Sequence, residues 1–254
     1  MTPEPALAGK HALVTGSSRN LGAVIAEQLA LEGATVALTY NESEQAARDL
    51  AARLSVATGR EHPCLGGDLA TVDGVRSVVE GALSALGRID VLVNNAGPWA
   101  GAPFLELSDG DWDAVLHANV KAAYLATQLV APGMRAAGWG RVVNVSAGSR
   151  YLRNHSVYGL AKDAVVFLTE ELACELGPEV TVNAVAPGQI IESAPDIEEF
   201  DPDFVPRAIA ATPAGRLVTR AEVAGLVLAL CSPAFAMVTG ATIPVDGGWR
   251  FYRF

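Results

Sequence analysis

Short apolar runs alternate with longer stretches of helical periodicity along the chain. The runs rich in β-branched residues cover residues 11–15, 35–40, 89–93, 141–145 and 179–185. Strands separated by helices pair in parallel, and a strand that is apolar at each position, such as residues 91–93, is covered on both faces. The pattern therefore predicts an α/β fold with a doubly wound parallel sheet and helices on both of its faces.

Glycines mark the ends of the predicted helices. A glycine that directly follows a helix can adopt the left-handed conformation in which its N–H bonds to the last turn. Five glycines stand in this position, namely Gly33, Gly59, Gly87, Gly138 and Gly177. We expect each of them to have a positive φ.

One long segment, residues 189–216, resembles neither a helix nor a strand. It contains Pro195, Pro202, Pro206 and Pro213 together with a cluster of acidic residues. Long excursions from a compact domain are usually functional and often cover a site at the carboxyl ends of the strands. We predict a substrate loop here, and a merely solvated acidic insertion is the alternative.

The uncharged segment 223–245 is long enough to raise the question of a membrane span. Pro233, Gly240 and Pro244 interrupt it, so we interpret it as a buried helix, a turn and a core strand. The first ten residues hold two prolines and a glutamate, whereas a signal peptide needs a basic start and an apolar core. Neither segment predicts a membrane partner.

Composition limits the classes of function further. The 254 residues are 50% hydrophobic and carry a net charge of −10, which suits a single domain over residues 1–254 and disfavours a nucleic-acid partner. Cys64, Cys174 and Cys231 are far apart in the sequence, and such spacing argues against a disulfide framework or a zinc site. We therefore expect no metal and a cytoplasmic location.

The turn after the first strand has the composition of a phosphate-binding loop. Residues 15–22 are mostly small and lead directly into a helical stretch. At such a helix start the free N–H groups and the positive end of the helix dipole bind an anion. Gly16 allows the tight turn and Gly22 lets the helix approach closely, so we predict a pyrophosphate site, with an ordinary βα turn as the alternative.

Tyr158 and Lys162 are the strongest candidates for chemistry. They are four residues apart at the start of a predicted helix, so both side chains share one face. A free tyrosine is a poor acid–base catalyst at neutral pH, and an adjacent cation lowers its pKa. The pair predicts an acid–base site in which Tyr158 transfers a proton.

These motifs together resemble the short-chain dehydrogenase/reductase family over residues 10–248. The family's T-G-x-x-x-G-x-G loop corresponds to Thr15–Gly22, its N-N-A-G turn to Asn94–Gly97, and its Tyr-x-x-x-Lys pair to Tyr158 and Lys162. Asn20 stands in place of the middle glycine of the loop, which pteridine reductases also lack, and asparagine tolerates a positive φ. The resemblance implies a Rossmann-type fold and an oxidoreductase that uses a nicotinamide cofactor.

The resemblance also implies which residues bind the cofactor. They are Gly16, Ser18, Arg19, Asn20, Leu21, Asn41, Ser43, Asp68, Leu69, Asn95, Ala96, Gly97, Tyr158, Lys162, Pro187, Gly188 and Ile190. The second strand ends without the carboxylate typical of NAD-preferring sites. Arg19, Asn41 and Ser43 offer donors to a 2′-phosphate. We therefore expect NADP(H), although Glu42 would suit the ribose hydroxyl of NAD.

By the same resemblance, Tyr158 protonates the substrate oxygen, Lys162 holds the nicotinamide ribose, and Asn119 positions a water in the proton relay. The catalytic serine fits less well, because counting back thirteen residues from Tyr158 reaches Val145. Ser146 is our choice for this role and Ser149 is the runner-up. His117 and His155 lack the spacing of a catalytic triad and are ranked as structural or substrate-lining residues.

Three functions remain open from the sequence. The first is an NADPH-dependent reductase of a ketone, similar to the ketoacyl reductases. The second is a reductase of a C=N bond in a ring substrate, for which Trp99 and Tyr151 offer flat surfaces. The third is a cofactor-binding sensor without catalysis. The resemblance further implies a homotetramer or homodimer, and we expect the aromatic residues 249–254 to pack on a neighbouring subunit.

Overall fold

A parallel sheet lies at the centre of the part of the chain that the structure describes. The computed structural model describes residues 5–100, 102–148, 156–199 and 201–251. The strands are β1 (His11–Val14), β2 (Thr35–Tyr40), β3 (Cys64–Gly66), β4 (Val91–Asn94), β5 (Gly140–Val145), β6 (Val180–Pro187) and β7 (Thr242–Val245). They form one seven-stranded sheet in the order β3-β2-β1-β4-β5-β6-β7, and all pairs are parallel.

Helices cover both faces of this sheet. Their bounds are α1 (Asn20–Leu31), α2 (Glu44–Thr58), α3 (Val72–Leu86), α4 (Asp109–Leu116), α5 (Ala122–Ala136), α6 (Val157–Leu176), α7 (Ala194–Glu198), α8 (Phe204–Ala211) and α9 (Arg220–Cys231). One core lies under α1, α2 and α9, and a second lies under α3, α5 and α6. The predicted doubly wound α/β fold is confirmed.

The strand order reverses between β1 and β4, because β1 pairs with β2 on one side and with β4 on the other. In open α/β sheets ligands bind outside the carboxyl ends of the strands at such a switch point. Thr15 follows β1 and Asn95 follows β4, so the two turns of the family motif meet at this crevice. The fold thereby positions the candidate cofactor site.

Four of the five predicted glycine helix ends are confirmed. Gly33, Gly59, Gly87 and Gly138 have φ of 101°, 69°, 79° and 64°. Gly177 is different, since its φ of −66° and ψ of 158° are extended. The residue that follows it is Pro178, and a residue before proline is restricted towards the extended region.

The described residues of the excursion, 189–199 and 201–216, include short helices, so the sequence-based interpretation of an irregular segment is wrong. It contains a short 3-10 helix at Ile191–Ser193 followed by α7 and α8. Pro195 and Pro206 lie in the first turns of these helices, where a missing N–H breaks no intrahelical bond. The excursion closes on itself, because Ile190 and Val218 form a parallel bridge at its two ends.

The segment 223–245 forms the helix α9, a turn and β7, as predicted. However, β7 lies at the edge of the sheet, and its residues are half-buried rather than part of the core. Among the described residues, no helix combines the length and the apolar character that a membrane span requires.

Candidate active site

The loop between β1 and α1 is shaped to bind an anion. Asn20 has a φ of 53° and is the non-glycine residue with a positive φ in the described chain, as expected for a substitute of the family's glycine. Arg19 precedes α1, and no side chain caps the helix there. The first N–H groups of α1 can therefore donate hydrogen bonds to a ligand.

Asn95 locks this loop from the neighbouring turn. Its side-chain Nδ2 donates to the carbonyl groups of Thr15 and Gly16 at 3.0 and 3.2 Å. The hydroxyl of Thr15 in turn accepts the backbone N–H of Asn95 at 2.9 Å. A Cβ on Gly22 would lie 2.2 Å from the carbonyl oxygen of Gly16. The close approach of helix and loop thus requires glycine at position 22.

A cleft of about 220 Å³ opens at the carboxyl ends of β1, β2, β3 and β4. Its lining includes six of the predicted cofactor residues, Gly16, Asn41, Asp68, Leu69, Ala96 and Gly97. Four more lie in the adjacent loop and first turn of α1, namely Ser18, Arg19, Asn20 and Leu21. An anion-binding helix start beside a long cleft fits the pyrophosphate and adenosine of a dinucleotide.

At the end of β2 the carboxylates are either exposed or paired. Asn41 and Glu42 are exposed, and Ser43 directly precedes α2. Glu44 binds Arg48 at 2.6 Å, and this hydrogen bond lowers the pKa of the Glu44 carboxyl. Of the two carboxylates that flank Ser43, Glu44 is therefore paired within its own helix, whereas Glu42 is exposed.

Tyr158 and Lys162 lie on one face at the start of α6. The hydroxyl of Ser156 accepts the N–H of Gly159 at 3.1 Å and so caps this helix. The Nζ of Lys162 lies 5.3 Å from the centre of the Tyr158 ring. The phenol hydroxyl makes no hydrogen bond with the described residues.

Burial shifts the pKa values of both side chains. Desolvation raises the pKa of Tyr158 to about 12, whereas the sequence predicts that the neighbouring cation lowers it. Desolvation also lowers the pKa of Lys162 to about 8. Lys162 is 3% exposed and donates to the carbonyl of Val145 at 2.8 Å. The phenol of Tyr158 is therefore protonated at neutral pH and has a proton to donate.

Ser146 faces the helix rather than open space. Its side chain is 2% exposed and its Oγ donates to the backbone carbonyl of Lys162 at 2.9 Å. A hydroxyl has one proton to donate, and here that proton is used within the protein. The runner-up Ser149 and the residues Tyr151 and His155 lie outside the described residues.

Asn119 lies in a π-helical turn, His117–Lys121, between α4 and α5. Such turns interrupt a helix and are frequent at functional sites. Its Nδ2 donates to the carbonyl groups of Pro98 and Val115 at 3.1 and 2.9 Å. A Cβ on Gly97 would lie 2.0 Å from its Oδ1. The side chain of Asn119 therefore braces the N-N-A-G turn against the helix.

The sequence reasoning missed a buried polar network between the two central strands and α6. Asn94 on β4 donates to the Oδ1 of Asn144 on β5 at 2.8 Å. Asn144 donates in turn to the hydroxyl of Thr169 on α6 at 2.9 Å. Both Asn144 and Thr169 are fully buried. A polar residue inside a strand that is otherwise apolar, as in Val142–Val145, is the signal that would have revealed it.

The turn after β6 carries the remaining predicted cofactor residues. Pro187 is the last residue of β6, and Gly188 follows with its N–H bonded to the carbonyl of Val245 at 2.9 Å. Ile190 forms the bridge at the neck of the excursion. The carboxylate of Glu192 accepts the N–H of Arg220 at 3.1 Å and so joins the excursion to the start of α9.

The chain resembles known proteins over most of its length. Residues 16–250 match a family model described as Enoyl-(Acyl carrier protein) reductase. The short-chain reductase protein NovJ of Streptomyces niveus is 38% identical over 246 residues, which cover 93% of this chain and 92% of that protein. The 3-oxoacyl-[acyl-carrier-protein] reductase FabG of Aquifex aeolicus is 37% identical over 251 residues, covering 95% and 98% of the two chains.

Solved structures of similar proteins share the fold of this chain. A short-chain dehydrogenase/reductase from Serratia marcescens has a TM-score of 0.87 and 35% identity, covering 96% of this chain and 99% of its own. A gluconate 5-dehydrogenase from Burkholderia cenocepacia in complex with NADP and tartrate has a TM-score of 0.86 and 30% identity, covering 97% of each chain. With the phosphate loop, the N-N-A-G turn and the Tyr158–Lys162 pair in place, the protein belongs to the short-chain dehydrogenase/reductase family of oxidoreductases.

Proposed function

We propose that the protein is an NADP(H)-dependent reductase of a small carbonyl compound, with Tyr158 as the general acid. The observation that carries this proposal is the first turn of α6. There a buried ammonium, that of Lys162, lies 5.3 Å from the ring of a tyrosine that holds its proton. General acids of this kind typically contribute about 10² to 10⁴ in rate.

In this proposal, Tyr158 donates its phenolic proton to the carbonyl oxygen of the substrate. NADPH, when bound by the predicted cofactor residues, would supply the hydride for the carbonyl carbon, and the product would be an alcohol. The pKa of Lys162 is about 8, so its ammonium can help to return a proton from solvent to the phenolate. Asn119 has a positioning role, because its side chain joins the carbonyl of Pro98, after the N-N-A-G turn, to that of Val115 in α4.

The packing around Tyr158 supports a dry reaction site. Its ring contacts an apolar cluster that includes Val115, Val157 and Ala161. Exclusion of water strengthens the hydrogen bond that the phenol donates to a developing negative charge. In these surroundings the proton of Tyr158 is expected to stabilise the transition state more than it would in water.

We infer a preference for NADPH over NADH from the charges in the β1–α1 loop and after the end of β2. Arg19 is exposed beside the cleft, and Glu44 is paired with Arg48. A cation that forms charge-assisted hydrogen bonds favours a 2′-phosphate. The NADP complex of the gluconate 5-dehydrogenase supports the same choice for this chain.

Reduction of a C=N bond is the second candidate, and the hydrogen bond of Ser146 to Lys162 favours it. An oxyanion does not form when an imine is reduced, so a missing serine donor costs such a reaction less. Trp99, whose side chain is 64% exposed, offers a flat surface for a ring substrate.

We also propose a cytoplasmic homo-oligomer, a tetramer or a dimer. The three cysteines are free thiols, which suits a reducing compartment. Tyr124, Leu160 and Phe167 on α5 and α6 are 42%, 43% and 64% exposed, and such apolar groups are typical of subunit contacts. Light scattering during size-exclusion chromatography tests this assembly, and a monomer at all concentrations contradicts it.

The proposed reaction is tested by following NADPH oxidation across ketones, acyl thioesters, quinones, imines and pterins. We expect oxidation with at least one ketone and formation of the matching alcohol. Oxidation with imines or pterins alone would select the second candidate. Tight NADPH binding without oxidation of NADPH by any compound would overturn both and indicate a cofactor-binding sensor.

A further inference from the structure

The residues that follow β7 form a compact turn around the carboxylate of Asp246. Its Oδ1 accepts the N–H of Gly248 at 2.9 Å, and its Oδ2 accepts the N–H of Arg250 at 3.2 Å. The guanidinium of Arg250 closes the turn by binding the same carboxylate at 3.1 Å. Asp246 is 7% exposed. We call residues 246–251 the C-terminal turn.

This C-terminal turn is attached to the turn after β6. A Cβ on Gly188 would lie 2.7 Å from the Cβ of Asp246, so the two backbones are in direct contact. The N–H of Gly188 is bonded to the carbonyl of Val245 at 2.9 Å. The C-terminal turn therefore has a fixed position relative to the end of β6, where the predicted cofactor residues Pro187 and Gly188 lie.

The same C-terminal turn contacts both ends of α8. At the start of α8, the ring of Phe204 meets the ring of Trp249 edge to face, with centroids 6.3 Å apart and planes at 80°. Beyond its end, Ala214 donates its N–H to the carbonyl of Gly247 at 3.0 Å. Trp249 thus packs on Phe204 of its own chain, and the contact of residues 249–254 with a neighbouring subunit stays a prediction.

The neck of the excursion is held independently of α8. Ile191 donates its N–H to the carbonyl of Val218 at 2.9 Å, and Glu192 binds the N–H of Arg220. The chain between these contacts forms a loop that contains α7 and α8. The neck fixes only the two ends of the excursion. The position of α8 therefore also depends on the contacts that α8 makes with other parts of the chain.

We propose that Trp249 is a positioning residue that anchors α8, through Phe204, above the carboxyl end of β6. The anchor holds the excursion in place for substrate binding and does not contact the cofactor. The expected effect of the anchor on substrate binding rests on the proposed reductase function. The expected effect on the stability of α8 does not.

Hydrogen exchange of the full-length protein without substrate tests the anchor directly. In Trp249→Ala and in Phe204→Leu, amides of residues 204–212 are expected to exchange about tenfold faster than in the wild type. Trp249→Phe keeps an edge-to-face pair and is expected to restore wild-type exchange. Phe251→Ala is the matched control, because Phe251 lies in the same turn and is 67% exposed.

Unchanged exchange in residues 204–212 of both variants would overturn the proposal. An equal rise in the exchange rate of residues 223–230 in α9 would also overturn the proposal, because the whole protein would then be destabilised. The double variant Trp249→Ala with Phe204→Leu is expected to exchange no faster than the single variants, since one contact is lost in each. Additive effects would contradict a shared contact.

Kinetics give the second readout. With any compound that the wild type reduces, Trp249→Ala is expected to raise KM about tenfold while kcat changes little and NADPH affinity stays the same. An equal loss of NADPH affinity would contradict the role given to Trp249. If the wild type reduces no compound, the reductase function fails while the exchange result still decides the anchor.

Discussion

The hydroxyl of Ser146 donates to the backbone carbonyl of Lys162 at 2.9 Å, while the ammonium of Lys162 donates to the carbonyl of Val145 at 2.8 Å. The end of β5 and the first turns of α6 are thus joined in both directions. This reciprocal pair fixes the position of Lys162 beside Tyr158. It also uses the proton that a catalytic serine would offer to a substrate.

Ser146→Ala is therefore expected to lower turnover less than about tenfold and to lower the free energy of unfolding by about 1 kcal/mol. Loss of a donor to the reacting oxygen would instead cost about 10² to 10³ in turnover. Steady-state kinetics and urea unfolding measure the two effects. A hundredfold loss with unchanged stability would show that Ser146 reaches the substrate. Ser149→Ala is the companion variant.

Lys162→Met is expected to raise the melting temperature by about 2 to 4 °C at pH 7 while abolishing activity. The folded state lowers the pKa of Lys162 from 10.5 to about 8, so its buried charge destabilises the fold at pH values below about 8. Between about 8 and 10.5 the folded protein releases this proton first, and the penalty disappears as the pH rises.

The difference in melting temperature should therefore shrink as the pH rises from 8 to 10. Lys121→Met is the control, because Lys121 is exposed and its loss should leave the melting temperature unchanged. A lower melting temperature in Lys162→Met at pH 7 would mean that the ammonium stabilises the fold.

Much of this architecture can be predicted from the sequence. Continuous apolar strands determine a parallel sheet, and a small-residue loop before a helix determines an anion site. Asn20 was expected to accept a positive φ, and it does so. Tyr158 and Lys162 share a helix face because they are four residues apart, whatever surrounds them.

Other features depend on contacts between distant parts of the chain. The pKa of Tyr158 rises because the folded chain buries it, which spacing alone does not reveal. The direction of the Ser146 hydroxyl is set by the carbonyl of Lys162, sixteen residues away. Gly177 follows the pre-proline rule instead of the helix-end rule, although both were visible in the sequence.

Gly97→Ala tests the brace between the N-N-A-G turn and Asn119. A Cβ at position 97 would lie 2.0 Å from Oδ1 of Asn119, so we expect a loss of about 3 kcal/mol in unfolding free energy and weaker NADPH binding. Gly133→Ala in α5, where a Cβ meets nothing within 4 Å, should be neutral or stabilising. Equal stability of the two variants in urea unfolding would contradict the brace.

Arg19→Ala tests the cofactor preference. Loss of its charge-assisted hydrogen bonds should raise the Kd for NADPH at least about tenfold and leave the Kd for NADH nearly unchanged. Fluorescence titration with both cofactors measures the ratio. Arg53→Ala removes the same charge from an exposed position on α2 and should not change the ratio. If Arg19→Ala also left the ratio of the two Kd values unchanged, a group other than Arg19 would determine the preference for NADPH.

The central claim is that Tyr158 donates the proton, and single-turnover reduction in Tyr158→Phe tests it most directly. The compound that the wild type reduces fastest is mixed with the NADPH-loaded variant, and the decay of reduced nicotinamide is followed. Removing the hydroxyl keeps the ring packed in its apolar cluster. We predict a rate lower by about 10² to 10⁴ with unchanged NADPH affinity. A rate close to that of the wild type would contradict the account.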